Sequence, residues 1–204
     1  MNKFEYRVNL VDAYLNKLNL SNEITEYYKG RNILVTGGAG AIGSNLVTVL
    51  SKLVGDSGMI IVLDNLSAIK GDEPIDLPPL SNLMFVNGDV RNDIDLKRVF
   101  REKPTIVYHL AAFFANQNSV DYPETSADVD IHGMIKLLDL SQFTGVDKFV
   151  YASSGCAIYG SYGEMPLKED FISLHLTTPY QINKMAGEMY SNFYFHHYGL
   201  KTVN

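Results

Sequence analysis

Seven residues, Gly37-Gly38-Ala39-Gly40-Ala41-Ile42-Gly43, have the types and spacing to hold a pyrophosphate. Asn32-Ile33-Leu34-Val35-Thr36 before them reads as a short buried strand, apolar, β-branched and cut off by glycines. Ile42, Leu46, Val49, Leu50 and Leu53 after them recur at helical spacing. A strand, a glycine turn and a helix start offer unpaired N–H groups, a partial positive charge and a backbone that phosphate can approach closely. Gly38-x-Gly40-x-x-Gly43 fits the dinucleotide fingerprint, and Gly37-x-x-Gly40-x-x-Gly43 fits in parallel. Glycine trios also occur by chance, so the next strand matters. Met59-Ile60-Ile61-Val62-Leu63-Asp64 ends in a carboxylate about 20 residues past the glycines, where it can accept hydrogen bonds from ribose hydroxyls and repel a 2′-phosphate. That favours NAD over NADP. The bland alternative is an Asp closing a strand-end turn.

A second constellation lies near the end of the chain. Tyr180-Gln181-Ile182-Asn183-Lys184 puts a phenol and an ammonium four apart, on one face of a helix. Pro179 suits a first helical turn, and Thr177 or Thr178 is placed to cap it. A phenol is a poor base at neutral pH because its reference pKa is about 10. Lowering it by roughly three units takes about 4 kcal/mol of preferential stabilisation of the phenolate. A lysine, a nicotinamide cation and a helix N-terminus can supply that together. Exposed helices also carry Tyr-x-x-x-Lys with no chemistry attached. Met185, Met189, Tyr190, Phe193 and Tyr194 on the same helix read as core or subunit interface.

The elements that must position these residues alternate. Strands are predicted near 32–36, 59–64, 83–87, 105–110, 147–153 and 200–203, and helices near 41–54, 93–102, 124–142 and 179–198. This alternation predicts a doubly wound parallel α/β sheet of the Rossmann type, with ligands beyond the carboxyl ends of the strands. Gly37, Asp64, Asp89, Ala111 and Ser153 all fall there. Residues 1–30 precede the first strand as a helical appendage. Phe4, Val8, Val11, Leu15 and Leu18 lie near one helical face, and Ser21 can cap a second helix through Ile24 and Tyr27. The expected division is therefore an appendage, 1–30, and a nucleotide-binding domain, 31–204. Residues 71–79 read as a loop without evident chemistry.

In order along the chain, Thr36 to Ser44, Asp64-Asn65, Gly88-Asp89-Val90, His109-Leu110-Ala111-Ala112, Tyr151-Ala152-Ser153-Ser154 through Ile158-Tyr159-Gly160, and Pro179-Tyr180 to Lys184 form one series. From about Arg31 onward this series resembles the extended short-chain dehydrogenase/reductases, the NAD-dependent nucleotide-sugar epimerases and dehydratases. The resemblance implies that Gly37, Gly40, Ala41, Ile42, Gly43, Asp64 and Asn65 hold NAD. It further implies that Asp89 and Val90 flank the adenine, and that Ala111 and Ala112 line the cofactor's path. Tyr180 and Lys184 are then the catalytic pair: Tyr180 takes a proton from a sugar hydroxyl, usually at C4, while hydride passes to NAD. Lys184 holds the nicotinamide ribose and lowers the Tyr pKa. Asn118 and Ser119 fall where the family approaches its substrate, a nucleotide sugar. The two long helices near 124–142 and 179–198 resemble those of a dimer contact, so a homodimer is expected.

The departures are specific. The family places Ser or Thr four residues before the Tyr of its Tyr-Gly pair, and here that position is Gly155. Ser153 and Ser154 are nearby but out of register, and a proton relay would run through Ser154, through water or directly to Tyr180. Dehydratases carry Asp-Glu next, where this chain has Cys156-Ala157, which argues against dehydration and for epimerisation. An Asn of the family is replaced by Asp130. The family continues into a small C-terminal substrate domain, which is absent from these 204 residues. A decarboxylase or reductase of the same family and a catalytically silent NAD-binding module are the competing expectations.

Composition bounds the rest. Two hundred and four residues suffice for one α/β domain, and a net charge of −6 with scattered basic residues argues against nucleic acid. No apolar run approaches the ~20 residues of a membrane span, and the start lacks the apolar core of a signal peptide. A single cysteine, Cys156, rules out an internal disulfide, so a cytoplasmic setting is expected. The five histidines show no metal-ligand spacing beyond one adjacent pair, and no metal site is expected.

Overall fold

The computed structural model describes residues 2–69, 75–113, 116–160, 165–168 and 171–204. Part of the 71–79 loop, Ala115, and the side chains of Cys156 and Ala157 lie outside the described residues. The chain forms two compact units, Met1–Leu110 and Ala111–Asn204.

The first unit begins with α1 (Lys3–Leu18) and α2 (Asn22–Tyr28). Asn2 caps α1 in a reciprocal box with Glu5, and Ser21 caps α2 by accepting from the Ile24 N–H. Four parallel strands follow: β1 (Asn32–Thr36), β2 (Met59–Asp64), β3 (Leu83–Asn87) and β4 (Ile106–His109), with α3 (Ala41–Val54) and α4 (Asp93–Phe100) between them. Their order, β3-β2-β1-β4, is that of the nucleotide-binding half of a doubly wound sheet. Ile33, Leu34 and Val35 of β1 and Ile60 to Leu63 of β2 are fully buried, because helices and neighbouring strands cover both faces. Burial of each such side chain contributes roughly 2 kcal/mol. The register pairs Thr36 with Leu63 and with His109, and Asp64 with Asn87, so the carboxyl ends of all four strands finish level. That edge carries the turn residues Gly37, Asn65, Gly88 and Leu110. α1 packs on α3 through the buried Val11. Lys52 bonds Asp12 across the two helices, and Lys3 and Arg7 both reach Asp76.

The second unit contains α5 (Asn116–Asp121), α6 (Pro123–Ala127), a π-helical segment (Asp128–His132), α7 (Gly133–Thr144), β5 (Lys148–Tyr151), α8 (Gly155–Ile158), α9 (Pro179–Tyr198) and β6 (Thr202–Val203). β5 and β6 pair in parallel, Phe149 with Thr202. The single helix expected near 124–142 is in fact three pieces. The Gly133 N–H reaches back five residues to the Asp128 carbonyl, which widens one turn where Ser126 and Asp130 turn inward and are buried. α5 falls where the sequence suggests only a polar loop. α9 opens on Pro179, with Thr178 as N-cap and Gln181 closing a capping box.

Candidate functional site

In the first unit the glycines are required by geometry. Gly37 has φ +71°, a conformation that side chains resist. A Cβ on Gly43 would stand 2.2 Å from the Gly37 carbonyl oxygen and 2.6 Å from the Gly38 Cα. Only glycine at 43 lets α3 start this close to the turn. Gly40 caps α3 without a side chain, so the first N–H groups of the helix, from Ala41, Ile42 and Gly43, have no side-chain cap covering them. Ile42 projects outward, 75% exposed. A turn with glycine at 37, 38 and 40 ahead of an uncapped fourteen-residue helix fits a pyrophosphate.

Asp64 stands beside this turn. Its Oδ2 accepts from the Ala39 N–H at 2.9 Å and its Oδ1 from the Leu66 N–H at 2.8 Å. The carboxylate thus ties the β2 end to the glycine turn while staying partly exposed. Asp89 accepts from Asn65 Nδ2 at 3.0 Å and from the Arg91 guanidinium at 2.9 and 2.8 Å. The Arg91 contact is the main reason its pKa falls to about 2. Asn65 and Asp89 therefore form one rigid corner at the ends of β2 and β3. Val90 beside them is buried.

The second unit holds Tyr180 and Lys184. Tyr180 and Lys184 lie one turn apart on α9, with the Lys184 Nζ 5.7 Å from the Tyr180 ring centroid. Lys184 is 3% exposed; its Nζ donates to the Ala152 carbonyl at 2.7 Å and sits 4.8 Å from the centre of the Tyr151 ring. Burial pushes the Lys184 pKa down, and the Asp130 charge opposes that. Gly187 makes the Tyr151 position possible, since a Cβ there would meet the Tyr151 Oη at 2.4 Å. The Ser119 hydroxyl accepts from the Tyr180 N–H at 3.0 Å and donates to the Asn116 carbonyl at 2.7 Å, and the residue is fully buried. Asn118, one residue earlier, is exposed on α5. Ser154 precedes α8 and its carbonyl accepts from the Ile158 N–H. Ala111 and Ala112 are half-buried and lie outside helix and strand. Gly155, at the start of α8, has room: an added Cβ would come no nearer than 3.6 Å to the Tyr159 ring.

Sequence reasoning did not find the cluster behind this pair. Asn183 Nδ2 donates to Ser126 Oγ at 3.0 Å and to Asp130 Oδ2 at 3.4 Å, and Ser126 Oγ donates to Asp130 Oδ2 at 3.1 Å. The one signal in the sequence is the carboxylate at 130. Among the described residues no group of three or more His, Cys, Asp or Glu could hold a metal, and no helix is long and apolar enough to cross a membrane.

Comparison with known proteins adds to this geometry. The model of the NAD dependent epimerase/dehydratase family matches residues 33–204. A UDP-glucose 4-epimerase of Mycolicibacterium smegmatis is 36% identical over 82% of this chain and 52% of its own length. The solved structure of an epimerase from Methanothermobacter thermautotrophicus is 46% identical, with a TM-score of 0.83 over 89% of this chain and 52% of that one. The UDP-glucose 4-epimerase of Thermus thermophilus, solved with NAD, is 37% identical with a TM-score of 0.70, over 84% of this chain and 53% of that one. These matches carry the doubly wound Rossmann-type fold across the chain. The chain spans about half the length of the relatives it matches.

Proposed function

The chain belongs to the NAD-dependent epimerase/dehydratase family, and on that premise we propose that it carries the cofactor-binding and catalytic residues of a nucleotide-sugar epimerase acting at the sugar C4 hydroxyl. The observation that carries the reading is the pairing of Tyr180 with a buried lysine on one helical face. Similarity to UDP-glucose 4-epimerases points to a UDP-sugar as substrate.

Bound NAD supplies a reversible hydride acceptor. Tyr180 takes the hydroxyl proton and later returns it. The Lys184 ammonium favours the phenolate by charge, and the start of α9 adds a partial positive charge at the same place. Ser119 fixes that helix start by accepting from the Tyr180 N–H. Asn118, exposed beside it on α5, is the member of the pair we assign to the sugar. The turn Gly37, Gly40, Ala41, Ile42 and Gly43 holds the pyrophosphate, and Asp64 the adenosine ribose. Asn65, Asp89 and Val90 border the adenine, and Ala111 and Ala112 leave space along the cofactor. The assembly is a homodimer through α7 and α9, and the setting is cytoplasmic.

Gly155 favours a second reading. Without a hydroxyl there, a proton must pass through Ser154, through water or directly to Tyr180; otherwise the chain binds NAD and turns nothing over. A decarboxylase or reductase of the same family would use the same pair. The test is turnover of UDP-sugars by the full-length protein. Proton transfer by a positioned group is typically worth 10²–10⁴-fold. Tyr180→Phe should therefore abolish epimerisation, and Gly155→Ser, which has the room, should raise it. Binding of NAD with no turnover in either the native chain or Gly155→Ser would establish the silent module instead.

A further inference from the structure

The second unit buries two opposite charges that lack a direct ionic partner among the described contacts. Lys184 is 3% exposed, and its hydrogen bond goes to a neutral carbonyl, that of Ala152. Asp130 is also 3% exposed, in the π-helical segment. Its surroundings are all donors: the Phe113 N–H reaches Oδ1 at 2.7 Å, while Ser126 Oγ at 3.1 Å and Asn183 Nδ2 at 3.4 Å reach Oδ2. Asn183 also donates to Ser126, which leaves the Ser126 proton for Asp130. Three donors converging on one carboxyl, two of them N–H groups that can only donate, favour the ionised carboxylate, which accepts from all three at once. Asn183 directly precedes Lys184 on α9, so the network ends at the catalytic helix. A buried charge without a counter-charge is costly, and the pair offsets that cost by mutual attraction across a medium of low dielectric.

We propose that Asp130 is the buried counter-charge of Lys184, a positioning residue that keeps the lysine an ammonium ion beside Tyr180. Its catalytic meaning rests on the epimerase reading above. The widened π turn is what brings the carboxylate inward. The amide that the resemblance leads one to expect at 130 would hold the Phe113 N–H but carry no charge. Among the described side chains, the titratable groups around Lys184 are Asp130 from the π-helical segment, Tyr151 from β5, and Tyr180 and Glu188 from α9 itself. Of these only Asp130 is a buried carboxylate; Glu188 is partly exposed. Burial pushes Asp130 up and Lys184 down, and each charge opposes the other's shift.

The test is a double-mutant cycle on the full chain, with Asp130→Asn, Lys184→Met and the two combined, read as melting temperature at pH 7. If the charges are partners, each single change strands the other and lowers the melting temperature by about 5 °C or more, while the double variant recovers most of the loss. Additive losses would overturn the proposal. So would failure of both Asp130→Asn and the double variant to fold, because Asp130 would then act only as a hydrogen-bond acceptor. A second measurement follows the Lys184 side chain by carbon NMR of ¹³C-lysine-labelled protein, assigned by its absence in Lys184→Met. Loss of the anion should move its titration midpoint down by about one unit or more in Asp130→Asn. An unchanged midpoint would also overturn the pairing. Neither measurement uses turnover: a coupled pair in a chain that epimerises nothing would sink the epimerase reading and leave the ion pair standing.

Discussion

Asp64 does two things with one carboxylate. It accepts from the Ala39 and Leu66 N–H groups, which fixes the glycine turn against β2, and it sets a negative charge where an adenosine ribose is expected. The two effects are separable. Asp64→Asn keeps an oxygen for one backbone N–H but removes the charge, so NAD and NADP affinities should converge with only a modest loss of stability. Asp64→Ala should also weaken NAD binding, because the Ala39 N–H loses its acceptor and the turn loosens. Calorimetry with both cofactors distinguishes these. Equal affinity for NAD and NADP in the unaltered protein would remove Asp64 from the ribose altogether, since a 2′-phosphate against a carboxylate in a partly desolvated crevice should cost several-fold at least. At this scale the sequence was legible for types and not for partners. Asp64, Asp89, Tyr180 and Lys184 stand out by residue and spacing. That Arg91 grips Asp89, or that Ser119 spends its hydroxyl on the Tyr180 N–H, depends on side-chain directions that spacing alone does not determine.

The strands and long helices were legible because their signals are local. β1 and β2 are continuous apolar runs bounded by glycine or a carboxylate, as strands buried on both faces must be, and their observed ends match the expected ones. α9 declares its start through Thr178, Pro179 and Gln181. α5 has one apolar residue, the exposed Val120, and carries no apolar periodicity; its support is the packing of Ser119 and its neighbours against α9. The π turn is equally silent, being a response to burying Asp130 rather than to any propensity. The glycine turn supplies the prediction that belongs to this scale. Gly43→Ala sets a methyl group 2.2 Å from the Gly37 carbonyl, and both nearest atoms belong to backbone that cannot swing aside. Either α3 retreats or the turn distorts. We expect a loss of about 1–3 kcal/mol in unfolding free energy, as for an overpacked core, together with at least tenfold weaker NAD binding. Chemical denaturation and NAD titration of the same variant check both. Unchanged NAD affinity in a folded Gly43→Ala would mean the pyrophosphate does not sit on this turn.

At the scale of the whole molecule the question is what covers α9. Ile182, Met189 and Phe193 are 52%, 59% and 46% exposed, and they recur at i, i+7 and i+11, which places them along one side of the helix. The opposite side buries Asn183, Lys184, Gly187, Ser191 and Tyr194 against the rest of the unit. A helix apolar on its outward side and packed on its inward side is what half of an interface requires, because scattered exposed apolar residues are ordinary but three of them on one side between positions 182 and 193 are not. A second copy of the same seam, related by a two-fold axis, matches it without any further partner, and self-complementary contacts of this kind are the commonest route to a dimer. The homodimer proposed above therefore has a physical cause in this seam. Light scattering of the chain at micromolar concentration should give twice the monomer mass. Met189→Glu should return the monomer mass with the helical content unchanged, because it places a charge in the middle of the seam and touches nothing inside. A monomer for the unaltered chain would remove the dimer. A dimer that survives Met189→Glu would move the interface off α9, and the seam would then need another partner to cover it.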